Sequence, residues 1–226
     1  MDSQIKKDIL NTALSNRNLD KSIQMQNYMR NKFKFLGIQT PLRKSIIKPY
    51  LKKFKQLTYD EQISLVTDIF LKGQYRELQY IALDLYEIKS DLKEEDIKTI
   101  EILATNNSWW DSVDSLHNIL GKYFKKFPEK RTIITEEWIS SQNIWLIRLL
   151  IDHQLNFKDK TDWDYLKNIS LRVCHLDEFF IQSAIGWSLS NYSKFHPDLV
   201  LEFVNNNNLG KFASKRALEW IRKKSK

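Results

Sequence analysis

The chain has 226 residues, 42% of them hydrophobic, with 36 lysines and arginines against 28 acids and a formal charge of +8. That length can bury a sizeable core. Five glycines and four prolines are too few for an all-β fold, the single Cys174 excludes an internal disulfide, and no run approaches the roughly 18 apolar residues of a membrane span.

Taken in chain order, the pattern is helical almost throughout. A first helix carries the apolar stripe Leu10, Ala13 and Leu14. Residues 21–36, with Met25, Tyr28, Met29, Phe33 and Phe35, run to Gly37, a natural helix stop. Thr40-Pro41 reads as an N-cap followed by proline at the first helical position. Thr58 and Glu61 have the spacing of a capping box, and Gly73 ends the helix they open. Helices follow over 75–89, 93–104, 109–126, 129–140, 143–156, 161–174, 177–194, 197–205 and 209–224. The run Asn205 to Asn208 reads as a stop and turn. No linker rich in Gly, Pro or Ser divides the chain, so a single domain over residues 1–226 is expected.

Tyr75, Trp110, Trp145 and Phe180 recur every 35 residues. A period of that size with helical patterning marks an α-solenoid, whose stacked helix pairs share one core. The tetratricopeptide and ankyrin signatures are absent, so irregular HEAT-like helix pairs describe the pattern better. The fold expected is therefore all-α, an α-solenoid of HEAT-like repeats. Three of the anchors, Tyr75, Trp145 and Phe180, read first as core aromatics, which pack at helical spacing.

The positive charge favours a polyanion, nucleic acid before others. The first residues, MDSQIKKDIL, lack a signal-peptide apolar stretch, and a lone thiol suits a reducing cytosol, so a cytoplasmic location is expected, nucleoid-associated when on DNA. His117, His153, His175 and His196 are scattered without a second ligand at metal spacing, so no metal site and no cofactor are expected. Cys174 and His175 are adjacent, and neighbouring side chains on a helix diverge by about 100°. No glycine pattern cradles a nucleotide.

What remains is one constellation. Counted from the anchors, Asp114 lies at +4, Arg148 at +3 and Trp187 at +7, offsets that share one helix face. Stacked in register, an acid, a guanidinium and two indoles converge. Asp111, in the same block, reads as a complement to the helix dipole. Asp114 stands where a core residue belongs, so its carboxylate must be paired, solvated in a groove, or functional. A buried Asp114–Arg148 salt bridge is the structural alternative. Trp187 follows Gly186, which allows something to approach closely. Indole faces stabilise cations, and a carboxylate can do so while orienting a water. The oxocarbenium-like sugar formed when a glycosidic bond breaks needs that environment.

Four ordered blocks resemble the AlkD-type DNA alkylation repair glycosylases over nearly the whole chain. They are Tyr28-Met29 with Phe35-Leu36-Gly37-Ile38-Gln39-Thr40-Pro41, Trp109-Trp110-Asp111-Ser112-Val113-Asp114, Asn143-Ile144-Trp145-Leu146-Ile147-Arg148, and Phe179-Phe180-Ile181-Gln182 with Ala184-Ile185-Gly186-Trp187. The resemblance implies a C-shaped solenoid with a concave basic cleft for duplex DNA. It implies a metal-free monofunctional glycosylase that excises cationic alkylpurines such as N3-methyladenine and N7-methylguanine, leaving an abasic site. By the same resemblance Asp114 is the catalytic carboxylate, Trp110 and Trp187 lie against the lesion's sugar-phosphate, Arg148 is the cleft arginine, and Tyr28 and Gln39 are lesser cleft residues.

Arg43, Lys44, Lys158, Lys215 and Arg216 lie near expected repeat turns or helix starts and are candidate phosphate contacts. The expected partner is duplex DNA containing alkylated purines, bound by a monomer and away from any membrane. Two readings compete: a HEAT-like protein that grips duplex or branched DNA without cutting it, and a protein-interaction scaffold.

Overall fold

The computed structural model describes residues 2–89 and 91–224, and among them helices are joined by turns with no strand. Ser225 and Lys226 lie outside the described residues. The chain packs as two compact units, the first closing at Asn107 and the second opening at Ser108. No helix among the described residues is long and apolar enough to cross a membrane.

The first unit holds α1 (Asp2–Ser15), α2 (Leu19–Tyr28), α3 (Thr40–Ile47), α4 (Leu51–Gln56), α5 (Tyr59–Lys72), α6 (Arg76–Glu87) and α7 (Asp96–Thr105). α5 packs on α1, α6 and α7, and α3 packs on α1 and α6. Ile9, Phe54, Val66, Phe70, Ile81, Leu85 and Ile100 form the core between them. In α1 the buried face is Ile5, Ile9 and Ala13, the i, i+4, i+8 row, whereas Leu14 from the expected stripe is exposed. α5 opens on the capping box read from Thr58 and Glu61, with Thr58 Oγ1 accepting from Glu61 N and Glu61 accepting from Thr58 N. Its C-cap is Gly73.

The expected helix through residue 36 is not formed. α2 stops at Tyr28, Arg30 and Asn31 turn into the left-handed region with φ of 54° and 56°, and the chain then runs without helix to α3. The cause is a tertiary contact. The wholly buried carboxylate of Glu77, on α6, accepts from the backbone N–H groups of Leu36, Gly37 and Ile38 at 2.8–3.0 Å. Gly37 has φ +89°, and a Cβ there would sit 2.0 Å from the Asn18 carbonyl oxygen, so no other residue fits. Three backbone donors satisfied by one buried acid outweigh another turn of helix. The same loop sets Gln39, rather than Thr40, as the cap position of α3, with Pro41 in its first turn.

The second unit holds α8 (Trp110–Val113), a 3₁₀ turn over Asp114–Leu116, α9 (His117–Lys126), α10 (Lys130–Ser140), α11 (Ile144–Asp152), α12 (Trp163–Val173), α13 (Phe179–Tyr192), α14 (Pro197–Asn206), α15 (Lys211–Ala217) and α16 (Glu219–Lys224). α8, the 3₁₀ turn and α9 all touch α11, α11 touches α13, and α13 touches α15, while α10, α12 and α14 pack beside this row. That is the stacking of an α-solenoid. The 35-residue register marks the start of one helix per repeat. Tyr75 caps α6, Trp110 opens α8, and Trp145 and Phe180 take the second positions of α11 and α13. Asn207 ends α14 within the asparagine run. The expected single helices over 109–126 and 209–224 are each broken, at the 3₁₀ turn and at Leu218.

At Gly186, α13 and α15 come close together. A Cβ on it would lie 2.6 Å from Arg216 Cβ and 3.0 Å from the Ala213 carbonyl oxygen. The close approach read from Gly186 is therefore made by the protein's own helix.

Candidate functional site

Asp114 and Arg148 meet. Asp114 opens the 3₁₀ turn after α8, and Arg148 stands mid-way along α11. Arg148 Nε donates to Asp114 Oδ1 at 2.7 Å and Nη2 donates to Oδ2 at 2.9 Å, a bidentate pair. Nη1 donates to the Phe180 carbonyl at 2.8 Å, at the start of α13. One guanidinium thus ties three successive elements of the second unit together. The pair is asymmetric in exposure: the Arg148 side chain is 5% exposed and that of Asp114 is 20% exposed. The paired alternative for Asp114 is what the geometry contains, with the carboxylate still reaching the surface.

Behind Arg148 stands a second acid that the register did not single out. Asp152 lies one turn further along α11, is 1% exposed, and has Oδ2 3.6 Å from Arg148 Nη2. Its Oδ1 accepts from Ser188 Oγ, on α13, at 2.8 Å. No hydrogen bond reaches Oδ2. Burial pushes the Asp152 carboxyl up to about 7, with the negative charge of Asp114 adding to the rise and Arg148, Ser188 and Arg216 opposing it. Burial works against the Arg148 charge, yet Asp152 and Asp114 together hold the guanidinium above its ordinary value. The spacing from Arg148 to Asp152 within an apolar run was the available signal: two charged groups four apart on a buried face have to answer one another.

The indoles divide differently from the register. Trp110 opens α8 and is half-exposed, one turn before Asp114. Trp187 is half-exposed and meets His117, three residues after Asp114, edge-on with centroids 6.4 Å apart. Trp109, one residue off the register, joins the anchors: its ring lies 5.9 Å from Trp145 and 5.0 Å from Phe180, and Trp145 and Phe180 are 4.8 Å apart. Of the expected core anchors, Trp145 and Phe180 do pack on one another, with Trp109 completing the cluster. The 35-residue spacing selects Trp110, but both indoles stand at the helix start, and packing turns Trp109 into the cluster instead.

The remaining histidine and cysteine readings are quiet. His153 is buried among the edges of Phe124, Phe157 and Tyr165, its Nδ1–H donates to the Leu150 carbonyl at 2.8 Å, and burial holds its pKa down at about 3. Cys174 caps α12, its thiol 3.2 Å from the Leu171 carbonyl, and His175 is exposed.

Tyr28, Gln39, Arg43 and Lys44 belong to the first unit. Tyr28 is the last residue of α2 and 70% exposed. Gln39 caps α3 by position and is exposed, as is Lys44. Arg43 is held differently: Nε donates to Asp84 at 2.7 Å and the guanidinium lies over the Tyr80 ring at 5.0 Å. Binding a phosphate there means sharing or leaving an acid. In the second unit Lys158 is exposed at φ +58°, Lys215 is exposed, and Arg216 is packed against Gly186.

Fold and site together define a class: a helical-repeat protein with a partly exposed carboxylate backed by arginine, one turn after Trp110 and three residues before the His117 that meets Trp187. Residues 10–221 match the family described as DNA alkylation repair enzyme, and the chain belongs to that family. A solved structure described as a predicted DNA alkylation repair enzyme from Enterococcus faecalis is similar to it at 29% identity, with a TM-score of 0.83 over 92% of this chain and 97% of that chain. No curated protein matches the chain.

Proposed function

We propose that the protein is a monofunctional DNA glycosylase that excises positively charged alkylpurines, such as N3-methyladenine and N7-methylguanine, from duplex DNA and leaves an abasic site. The observation that carries this reading is the Asp114 carboxylate, reaching the surface while Arg148 fixes its rotamer from behind, with the partly exposed Trp110 one turn before it and the partly exposed Trp187 against His117, three residues after it. Membership of a DNA alkylation repair family supports the substrate class.

A purine alkylated at N3 or N7 already carries the charge that makes it a leaving group. When the C1′–N bond breaks, its electron pair goes to the base and neutralises that charge, so no general acid is required. The positive charge moves to the sugar. A carboxylate and indole faces stabilise it there, and Asp114 retains lone pairs beyond its two bonds to Arg148 with which to orient a water. The water's oxygen bonds to C1′, one of its protons passes to bulk solvent, and the abasic sugar remains.

The test is incubation with duplex DNA carrying N7-methylguanine, followed by alkali to cut at abasic sites. Native protein should produce strand breaks, and Asp114→Asn should lower their rate on the order of 10²–10³-fold. Breaks no greater than control with native protein favour the non-catalytic DNA-binding reading. Breaks undiminished in the variant remove Asp114 from its role. DNA affinity that is insensitive to salt would favour a protein scaffold instead.

A further inference from the structure

We infer that Asp152, buried behind Arg148 and held by Ser188, is a charge-positioning residue that offsets the guanidinium and leaves the Asp114 carboxylate a net negative field with which to meet a cationic sugar. The inference rests on the glycosylase reading above and answers a difficulty within it. A carboxylate in a bidentate pair with arginine is nearly neutral at a distance, and a neutral pair stabilises a cation poorly. Here one cation stands between two acids. Asp114 faces outward at 2.7 and 2.9 Å from Arg148, and Asp152 faces inward at 3.6 Å. With both acids ionised the triad carries one net negative charge, and its exposed member is Asp114.

The energetics of Asp152 point the same way. A carboxylate that is 1% exposed and has one oxygen without a hydrogen bond is costly to bury. An apolar side chain of that size in an apolar helix would be cheaper. What an acid adds that an apolar residue cannot is charge. Ser188 adjoins Trp187 in sequence, so the residue that holds Asp152 is also next to one of the two candidate indoles.

The burial of Asp152 beside Asp114 makes the device sensitive to pH. The groups that face Asp152 are Arg148 from α11, Asp114 from the 3₁₀ turn, Ser188 from α13 and Arg216 from α15. Burial raises the Asp152 carboxyl to about 7, so well below that pH it is neutral and Asp114 is the one ionised acid on Arg148, and well above it both acids are ionised.

Single-turnover excision, followed on both sides of pH 7 for native protein, Asp152→Asn, Ser188→Ala and Asp114→Asn, tests the inference. Asp152→Asn should be slower on the order of tenfold above neutrality, less than the loss for Asp114 because the charge is one guanidinium further from the sugar. It should converge on the native rate at low pH, where the native acid is itself neutral. Its affinity for undamaged duplex should not weaken. The substrate's own titration is common to both proteins and cancels in the ratio of their rates. Ser188→Ala removes a hydrogen bond to the ionised acid and should move the native rise to higher pH.

A native-to-Asp152→Asn ratio that does not change with pH overturns the inference, because a merely structural role predicts that result. If Asp152→Asn fails to fold, an unshifted rise in Ser188→Ala overturns it. Loss in Asp114→Asn without loss in Asp152→Asn sinks this inference and spares the glycosylase reading. No excision by native protein sinks both.

Discussion

Each unit of the chain buries acids, and the two units treat them differently. In the first, Glu77 accepts from three backbone N–H groups, and Asp96 accepts from the Tyr86 hydroxyl and the Lys93 backbone beside Lys89 at 3.1 Å. Both are saturated. In the second, Asp152 has one hydrogen bond, one distant cation and an oxygen with no hydrogen bond, and it stands behind an acid that reaches the surface. Acids whose two oxygens both have hydrogen-bond partners hold structure. An under-satisfied acid beside a shared cation has an electrostatic effect left over for something else. The contrast separates the scaffold from the candidate chemistry without reference to any ligand.

Glu77→Ala breaks the comparison most severely. It leaves three buried backbone donors without their acceptor, each worth about 1–3 kcal/mol, so stability should fall by at least about 3 kcal/mol. A urea midpoint unchanged from native would show that the 33–39 loop holds itself. Gly186→Ala is the next largest. The new methyl meets the Arg216 side chain and the Ala213 carbonyl and should cost about 1–3 kcal/mol by prising α13 from α15. Thermal unfolding measures it, and a neutral result would mean that the helices separate freely.

A smaller effect sharpens the contrast within the second unit. His153 follows Asp152 directly and shifts in the opposite sense. Its folded pKa is depressed from 6.5 to about 3, so between those values the unfolded chain binds the extra proton and stability falls as pH falls. The slope contributed is at most about 1.4 kcal/mol per pH unit. His153→Gln should flatten the acid limb of a stability–pH curve, and an unaltered limb would assign the slope to other groups. Asp152, raised toward 7, has the reverse sign: its contribution is complete below the ordinary aspartate range and is lost as pH rises through about 7. The smallest effect is expected at Glu136→Gln. Its pair with Arg172 is exposed and solvated, and its loss should leave the melting temperature within measurement scatter.

Much of the fold was legible because its signals are local. The capping box at Thr58, the stop at Gly73 and the asparagine run each act within one turn of backbone, and each is found where the residues put it. The aromatic register was legible because one helix start per repeat recurs at a fixed interval. The helix through residue 36 was misread because its competitor, Glu77, lies 41 residues away from Leu36. The Arg43–Asp84 pair spans the same separation and was equally invisible.

The residues alone determined that the chain is helical, that its repeats keep one register, and that Asp114 and Arg148 fall on offsets able to face each other. Periodicity and capping are properties of short stretches, and they survive whatever the rest of the chain does. Tertiary structure decided that Trp109 rather than Trp110 joins the packed aromatics, that α15 rather than a ligand fills the space at Gly186, and that Asp152 and Ser188 stand behind the arginine. Those choices depend on which side chains from separate helices reach the same few ångströms of interior, and only packing settles that.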